Sequence, residues 1–340
     1  MDLLLGGKWG KCLIAAALMA LMMPVLAAAQ DAGNSPYRVS GEMGTVHIHP
    51  TPELSRQMKA QQGINALAVL SYQGGPVMTG ETLYAIFWIP ATLQNGSPTT
   101  LSPKYQNVTK QFLTDYADHG LANNSSQYYA LVGTVKKYFV GKGGLGGTYV
   151  DTNPYPSSAC TDNVTPGNCI TDAQLQAEIK AVMTLKGWTP GLNKMFLVFT
   201  SKGEGSCSDS TSASCAYSQY CAYHGFFGST TTPTIYSNQP YADPSYCYSP
   251  GTGQRAPNGD IPSDANVSIA SHEIAEANTD PELNAWWDLA NGYEIGDLCS
   301  WTFGANTWDG LLANQMWNGH FYDLQQEYDN HTTSCVSLGP

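Results

Sequence analysis

Eight cysteines, Cys160, Cys169, Cys207, Cys215, Cys221, Cys247, Cys299 and Cys335, limit what this chain can become more than any other feature. No two of them stand in a CxxC pair, so the usual zinc-ribbon spacing is excluded. In an exported chain an even set of this kind reads as four disulfides, with no thiol left over for catalysis. Connectivity stays open, although Cys160 and Cys169 bracket a short turn-rich loop and are expected partners. Export itself is read from the N-terminus. Lys8 and Lys11 precede an apolar run from Cys12 to Ala29, broken only by Pro24 and closed by Ala27-Ala28-Ala29. This is the grammar of a secretory signal cleaved before Gln30, and cleavage would remove the ninth cysteine, Cys12. A membrane anchor is the weaker reading, because the run is close to the minimum for a span and contains a proline. The mature protein is expected to be secreted and to keep no membrane attachment.

Charge narrows the partners. A net charge of -12, with only 12 % charged residues, is unsuited to nucleic acid or anionic lipid, which need a basic face. The expected organisation is a signal peptide over 1–29, an N-terminal extension or propeptide over 30–70, and one domain over 71–340. Within the extension, His47 and His49 alternate as on a strand and are expected to face solvent.

The domain reads as α/β (α+β), a mixed sheet packed with helices and edged by disulfide-stabilised loops. Leu83–Ile89 and Met195–Thr200 are continuous apolar runs that predict buried strands. Ser102 followed by Pro103 marks a helix start, and Tyr105, Val108, Phe112 and Tyr116 share one face. A second helical pattern is expected over 125–139, and a mobile glycine-rich hairpin over 141–147. Thr171 with Gln174 forms a capping box for a helix ended by Gly187. Ile235-Tyr236 suggests a short edge strand.

Chemistry concentrates on a helix that begins near Asp264, its expected cap, and ends by Pro281. It carries His272-Glu273-Ile274-Ala275-Glu276. His272 and Glu276 are four apart and project from one face, where imidazole and carboxylate could share a divalent ion. Glu273 would stand beside that ion as the base that takes a proton from water. The pattern is HExxH with its second histidine replaced by Glu, so zinc is expected and calcium is the alternative. A surface helix with solvated glutamates is the bland reading. Against it, the surrounding residues are small and apolar, and no Lys or Arg occurs after Arg255, so a buried carboxylate here lacks a protein cation. A third ligand is expected from Glu294, eighteen residues past Glu276, with Asp297 either orienting a ligand or serving as one. His224, His320 and His331 are reserve ligands. The tryptophans of the C-terminal part read as core before sugar-stacking platforms.

Four segments in series carry a family resemblance: Tyr72-Gln73-Gly74-Gly75-Pro76-Val77-Met78, the apolar strand ending in Trp88, Cys221-Ala222-Tyr223-His224-Gly225, and Ala256-Pro257-Asn258-Gly259-Asp260. Together they resemble the phosphate-induced protein 1 or EXORDIUM-like family, from about residue 70 to Cys335, in a microbial form carrying HExxE. Plant members are secreted cell-wall proteins tied to growth. The order of elements ahead of the metal helix also resembles zincins, an analogy of fold alone. Two functions follow as expectations. One is a secreted zinc metallopeptidase-like hydrolase acting on a peptide or cell-wall substrate through Glu273. The other is a non-catalytic wall-associated protein with a structural metal.

Overall fold

The structure is a computed structural model that describes residues 35–62, 69–116, 119, 121–141, 143–248, 256–306 and 310–339. The expected signal peptide lies outside them. Seven strands form the central sheet: β1 (Arg38–Gly41), β2 (Gly44–Pro50), β3 (Glu81–Trp88), β4 (Gly143–Asp151), β5 (Lys194–Thr200), β6 (Tyr220–Ser229) and β7 (Thr232–Gln239). Their order is β1-β2-β6-β7-β5-β3-β4. The β1-β2-β6-β7 half is antiparallel and the β7-β5-β3-β4 half parallel, which is the mixed α/β sheet the sequence pattern predicts. Among the described residues, four α-helices accompany it: α1 (Pro52–Gln62), α2 (Pro103–Asp115), α3 (Asp172–Lys186) and α4 (Ile261–Thr279).

Strand periodicity sorts the residues between two cores. Ile86, Trp88, Phe196 and Val198 point to the face covered by α3, through Leu175, Ile179 and Val182. Their neighbours Ala85, Phe87, Leu197 and Phe199 point to the face covered by α2 and α4. Helices on both faces explain why β3 and β5 read as unbroken apolar runs. The same alternation runs through β2. Val46 and Ile48 join the α3-side core, so His47 and His49 turn to the side of α4.

Helix starts follow their sequence signals. The Ser102 hydroxyl accepts the Tyr105 N–H at 3.0 Å, and the Gln174 side chain accepts the Thr171 N–H at 3.0 Å. α3 ends on Gly187, whose φ of 66° suits glycine. α4 differs from an amphipathic helix, since every residue from Ser263 to Thr279 is buried. It begins at Ile261, not at Asp264. Asp264 does not cap it, because that carboxylate instead accepts from the Asn258 side chain at 2.6 Å.

Several expectations are corrected. Residues 129–138 form a β-hairpin, Tyr129–Val132 with Val135–Tyr138, in place of a helix; the turn at Gly133 and the β-branched valines outweigh the helical spacing. The glycine-rich stretch is edge strand β4, where a Cβ on Gly143 would overlap the Glu81 backbone. Ile235-Tyr236 lies in an interior strand, paired on both sides. His47 and His49 are buried, because β2 is itself an interior strand. Cys160 does bond Cys169, and the remaining pairs are Cys207–Cys215, Cys221–Cys247 and Cys299–Cys335.

Candidate metal centre

Three elements and one loop bring the histidines and carboxylates together. The β2-β6 register sets His47 directly opposite His224, ring centroids 5.6 Å apart. α4 packs over that face and lowers His272, Glu273 and Glu276 toward them. The loop 294–297 closes the side, held by a 3-10 turn over Asp297–Cys299 and by the Cys299–Cys335 disulfide. This loop must pass close to the helix. A Cβ on Gly296 would lie 2.4 Å from His272 Nδ1 and 3.0 Å from Glu276 Oε1, so glycine is required there. All of these side chains, His47, His224, His272, Glu273, Glu276, Glu294 and Asp297, have 0 % exposure.

The contacts fall into two kinds. Some are aligned hydrogen bonds. His47 Nε2 meets Asp297 Oδ2 at 2.7 Å, and His224 Nδ1 meets Glu273 Oε2 at 3.2 Å. The Glu294 N–H donates to Asp297 Oδ2 at 2.8 Å. Others are close without alignment. His47 Nδ1 lies 3.0 Å from Glu294 Oε1, His272 Nε2 lies 3.1 Å from Glu276 Oε1, and His224 Nε2 lies 3.8 Å from Glu294 Oε2. The Asp297 N–H also leans toward Glu276 without the geometry of a hydrogen bond. Nine buried atoms of these side chains are left this way: His47 Nδ1, His224 Nε2, His272 Nε2, Glu273 Oε1, both oxygens of Glu276, both of Glu294, and Asp297 Oδ1. At about 1–3 kcal/mol for each unsatisfied buried group, they would cost about 9–27 kcal/mol. That is as much as the entire net stability of a domain, about 5–15 kcal/mol. These atoms need partners, and protons, a cation or buried water would supply them.

The electrostatics say the same. Burial and then neighbouring carboxylates push Glu273, Glu276 and Asp280 well above the ordinary range. Burial raises Glu294 to about 7, with His47 opposing the shift. Burial works against a charge on His47, but Glu294, Asp297 and Glu276 outweigh it and raise its pKa. Burial lowers His224, and lowers His272 to about 3, so both rings are neutral. Among the described residues, two lysine or arginine side chains act on the cluster. Arg38 on β1 meets Asp280 at 3.1 Å and Glu294 at 3.7 Å, and Lys59 on α1 donates to Ser300 O at 3.1 Å, near enough to Asp297 to act on it electrostatically.

The residues expected from sequence are placed as follows. Glu276, Glu294 and Asp297 enter the two groups of atoms that converge tightly enough to hold an ion: His47 with Glu276 and Asp297, and His224 with Glu276 and Glu294. His272 borders the first group, 3.9 Å from Asp297 Oδ1. Its Nδ1 accepts from the Gln325 side-chain nitrogen at 2.8 Å. That amide is fixed in orientation, since it also donates to Gly296 O and its oxygen accepts the Trp301 N–H. A neutral His272 so held carries its hydrogen on Nε2, facing Glu276. Glu273 stands against His224. Sequence reasoning passed over His47 and kept His224 only in reserve. The His47-x-His49 alternation was the available signal, but its face depends on where β2 docks. His320 pairs instead with Asp115 at 2.6 Å, away from the centre.

A disulfide-bearing α/β protein with a histidine–carboxylate cluster walled into its core is the class that this fold and site define. Within that class, the chain belongs to the phosphate-induced protein 1 family, whose conserved region matches residues 70–326. The matched region holds His224, α4 and the loop 294–297, but not Arg38 or His47. Protein EXORDIUM-like 3 of Arabidopsis thaliana is 24 % identical over 286 residues, 77 % of each chain. Protein EXORDIUM-like 5 of the same plant is 38 % identical over 81 residues, 23 % of this chain and 22 % of that relative's length. No solved structure matches. No helix among the described residues is long and apolar enough to cross a membrane, and the four disulfides fit an extracellular location.

Proposed function

We propose that this is a secreted, non-catalytic EXORDIUM-like protein whose core is organised round a structural divalent cation. The observation that carries the reading is the set of nine unpartnered, fully buried imidazole and carboxylate atoms. The residues that would hold the cation are His47, His224, Glu276, Glu294 and Asp297. No ligand sulfur is offered, because the cysteines are consumed in disulfides, and the imidazoles favour zinc or a similar transition ion over calcium. Glu273 then has a supporting task. Its bond to His224 Nδ1 leaves the lone pair of Nε2 facing Glu294, the carboxylate–histidine arrangement that orients metal ligands.

A metal-dependent, zincin-like hydrolase is the second reading. It is favoured by the HExxE spacing and by a cavity of about 520 Å³ lined by Arg38, whose guanidinium touches Glu294. In it Glu273 takes a proton from water and a peptide is the substrate.

Thermal unfolding with and without a strong chelator tests the first reading. Chelation should lower Tm by 10 °C or more, if the ion contributes several kcal/mol of folding energy (about 2–4 °C per kcal/mol in a domain this large). An unchanged Tm contradicts it. Hydrolysis of a mixed peptide library by the metal-replete protein, lost in Glu273→Gln with metal retained, would move the conclusion to the second.

A further inference from the structure

We propose that the centre holds two divalent cations bridged by the Glu276 carboxylate, the first between His47 and Asp297, the second between His224 and Glu294. The proposal rests on the metal reading above and sharpens it.

Convergence of atoms is the first ground. His47, Glu276 and Asp297 can each offer an atom within 4.8 Å of the other two, and so can His224, Glu276 and Glu294. The two groups share Glu276 alone, and the five residues do not gather into one group. A single ion would therefore leave one histidine–carboxylate pair unused.

Orientation is the second ground. The two oxygens of Glu276 point to different neighbours. Oε1 lies 3.1 Å from His272 Nε2, which is itself 3.9 Å from Asp297 Oδ1, and Oε2 lies 3.5 Å from His224 Nδ1, the ring nitrogen that also meets Glu273. Neither oxygen has a hydrogen-bond partner. A buried carboxylate whose two oxygens make no aligned hydrogen bond and face different histidines is placed to bridge. Each half also has its own outer support. Gln325 fixes His272 against Glu276 Oε1 in the first, and Glu273 fixes His224 in the second.

Charge is the third. Glu273, Glu276, Asp280, Glu294, Asp297 and Glu327 are six fully buried carboxyl groups in one neighbourhood, faced by Arg38 and Lys59. With all six ionised, one divalent ion would leave the set two charges negative and two ions would bring it to neutrality, the state burial favours. One imidazole and two carboxylates for each ion is a donor set suited to zinc or manganese.

Native mass spectrometry of the full mature chain, stripped and reloaded with Zn²⁺, reads the stoichiometry directly. Two ions per chain are expected. One ion overturns the bridged pair and leaves the metal reading standing; none, with the fold intact, overturns both. His224→Asn and Asp297→Asn, checked for fold by circular dichroism, should each retain one ion. Either variant keeping two ions, or losing both while folded, contradicts the division into halves. Loading with Mn²⁺ gives an independent readout, since ions sharing a carboxylate within about 4 Å show an exchange-coupled electron paramagnetic resonance spectrum. The six-line spectrum of isolated Mn²⁺ in fully loaded protein would contradict the bridge.

Discussion

Glu273 and Glu276 sit three residues apart and have opposite surroundings, so isosteric substitution separates their tasks. Glu276 offers two unpartnered oxygens, and Glu276→Gln removes its charge while placing an amide nitrogen where a cation should lie. Metal affinity is expected to fall at least 100-fold, measured by competition with a chromogenic chelator. Glu273 touches its neighbours through His224 Nδ1, so Glu273→Gln should keep the fold and weaken metal retention by about 10–100-fold, the usual effect of removing an orienting carboxylate. Full metal retention in Glu273→Gln would contradict the orienting task. Of these residues, the helical ones were legible in sequence because i, i+4 spacing fixes a face without tertiary knowledge. His47 and His224 were not legible. A strand's two faces are equivalent until its neighbours are known, and their pairing is a register between segments far apart in the chain.

The loop 294–297 is the element on which the centre most depends, since it brings Glu294 and Asp297 against α4 without regular structure of its own. Its anchor is the Cys299–Cys335 disulfide, which closes a separation of 36 residues. Replacing both cysteines by serine should cost about 3–4 kcal/mol of stability and speed metal loss to a chelator. Unchanged chelation kinetics would show that the loop is held by packing alone. Gly296→Ala tests the contact from inside: the added methyl meets His272 and Glu276, and a loss of about 1–3 kcal/mol is expected in denaturant unfolding. Among the larger elements, the apolar runs of β3 and β5 and the capped starts of α2 and α3 could be read from local chemistry. The hairpin at 129–138 and strand β4 could not. The first carries a helical spacing by coincidence, and the second holds glycines for separate tertiary reasons, Gly143 against the Glu81 backbone and Gly147 against the Trp188 ring.

Across the whole molecule, buried acids also set a pH dependence that does not involve the metal centre. Burial raises Glu178 to about 9, where it shares a hydrogen bond with Asp151, and raises Glu204 to about 8. A carboxyl whose pKa is higher folded than unfolded binds more protons in the folded state. Its stabilisation is complete below the unfolded value of about 4.5 and is lost as pH rises through the folded one. Stability measured by denaturant midpoint should therefore fall between pH 5 and pH 9, and Glu178→Gln, which keeps a donor toward Asp151, should flatten part of that slope. A midpoint that rises over this range contradicts the buried-acid assignment. The larger question is what neutralises the core, and its most direct measurement is the metal content of the folded protein. Chain purified without chelator or added metal should carry divalent transition metal in at least a one-to-one ratio by inductively coupled plasma mass spectrometry. A fully folded preparation free of metal would contradict a core built round a cation.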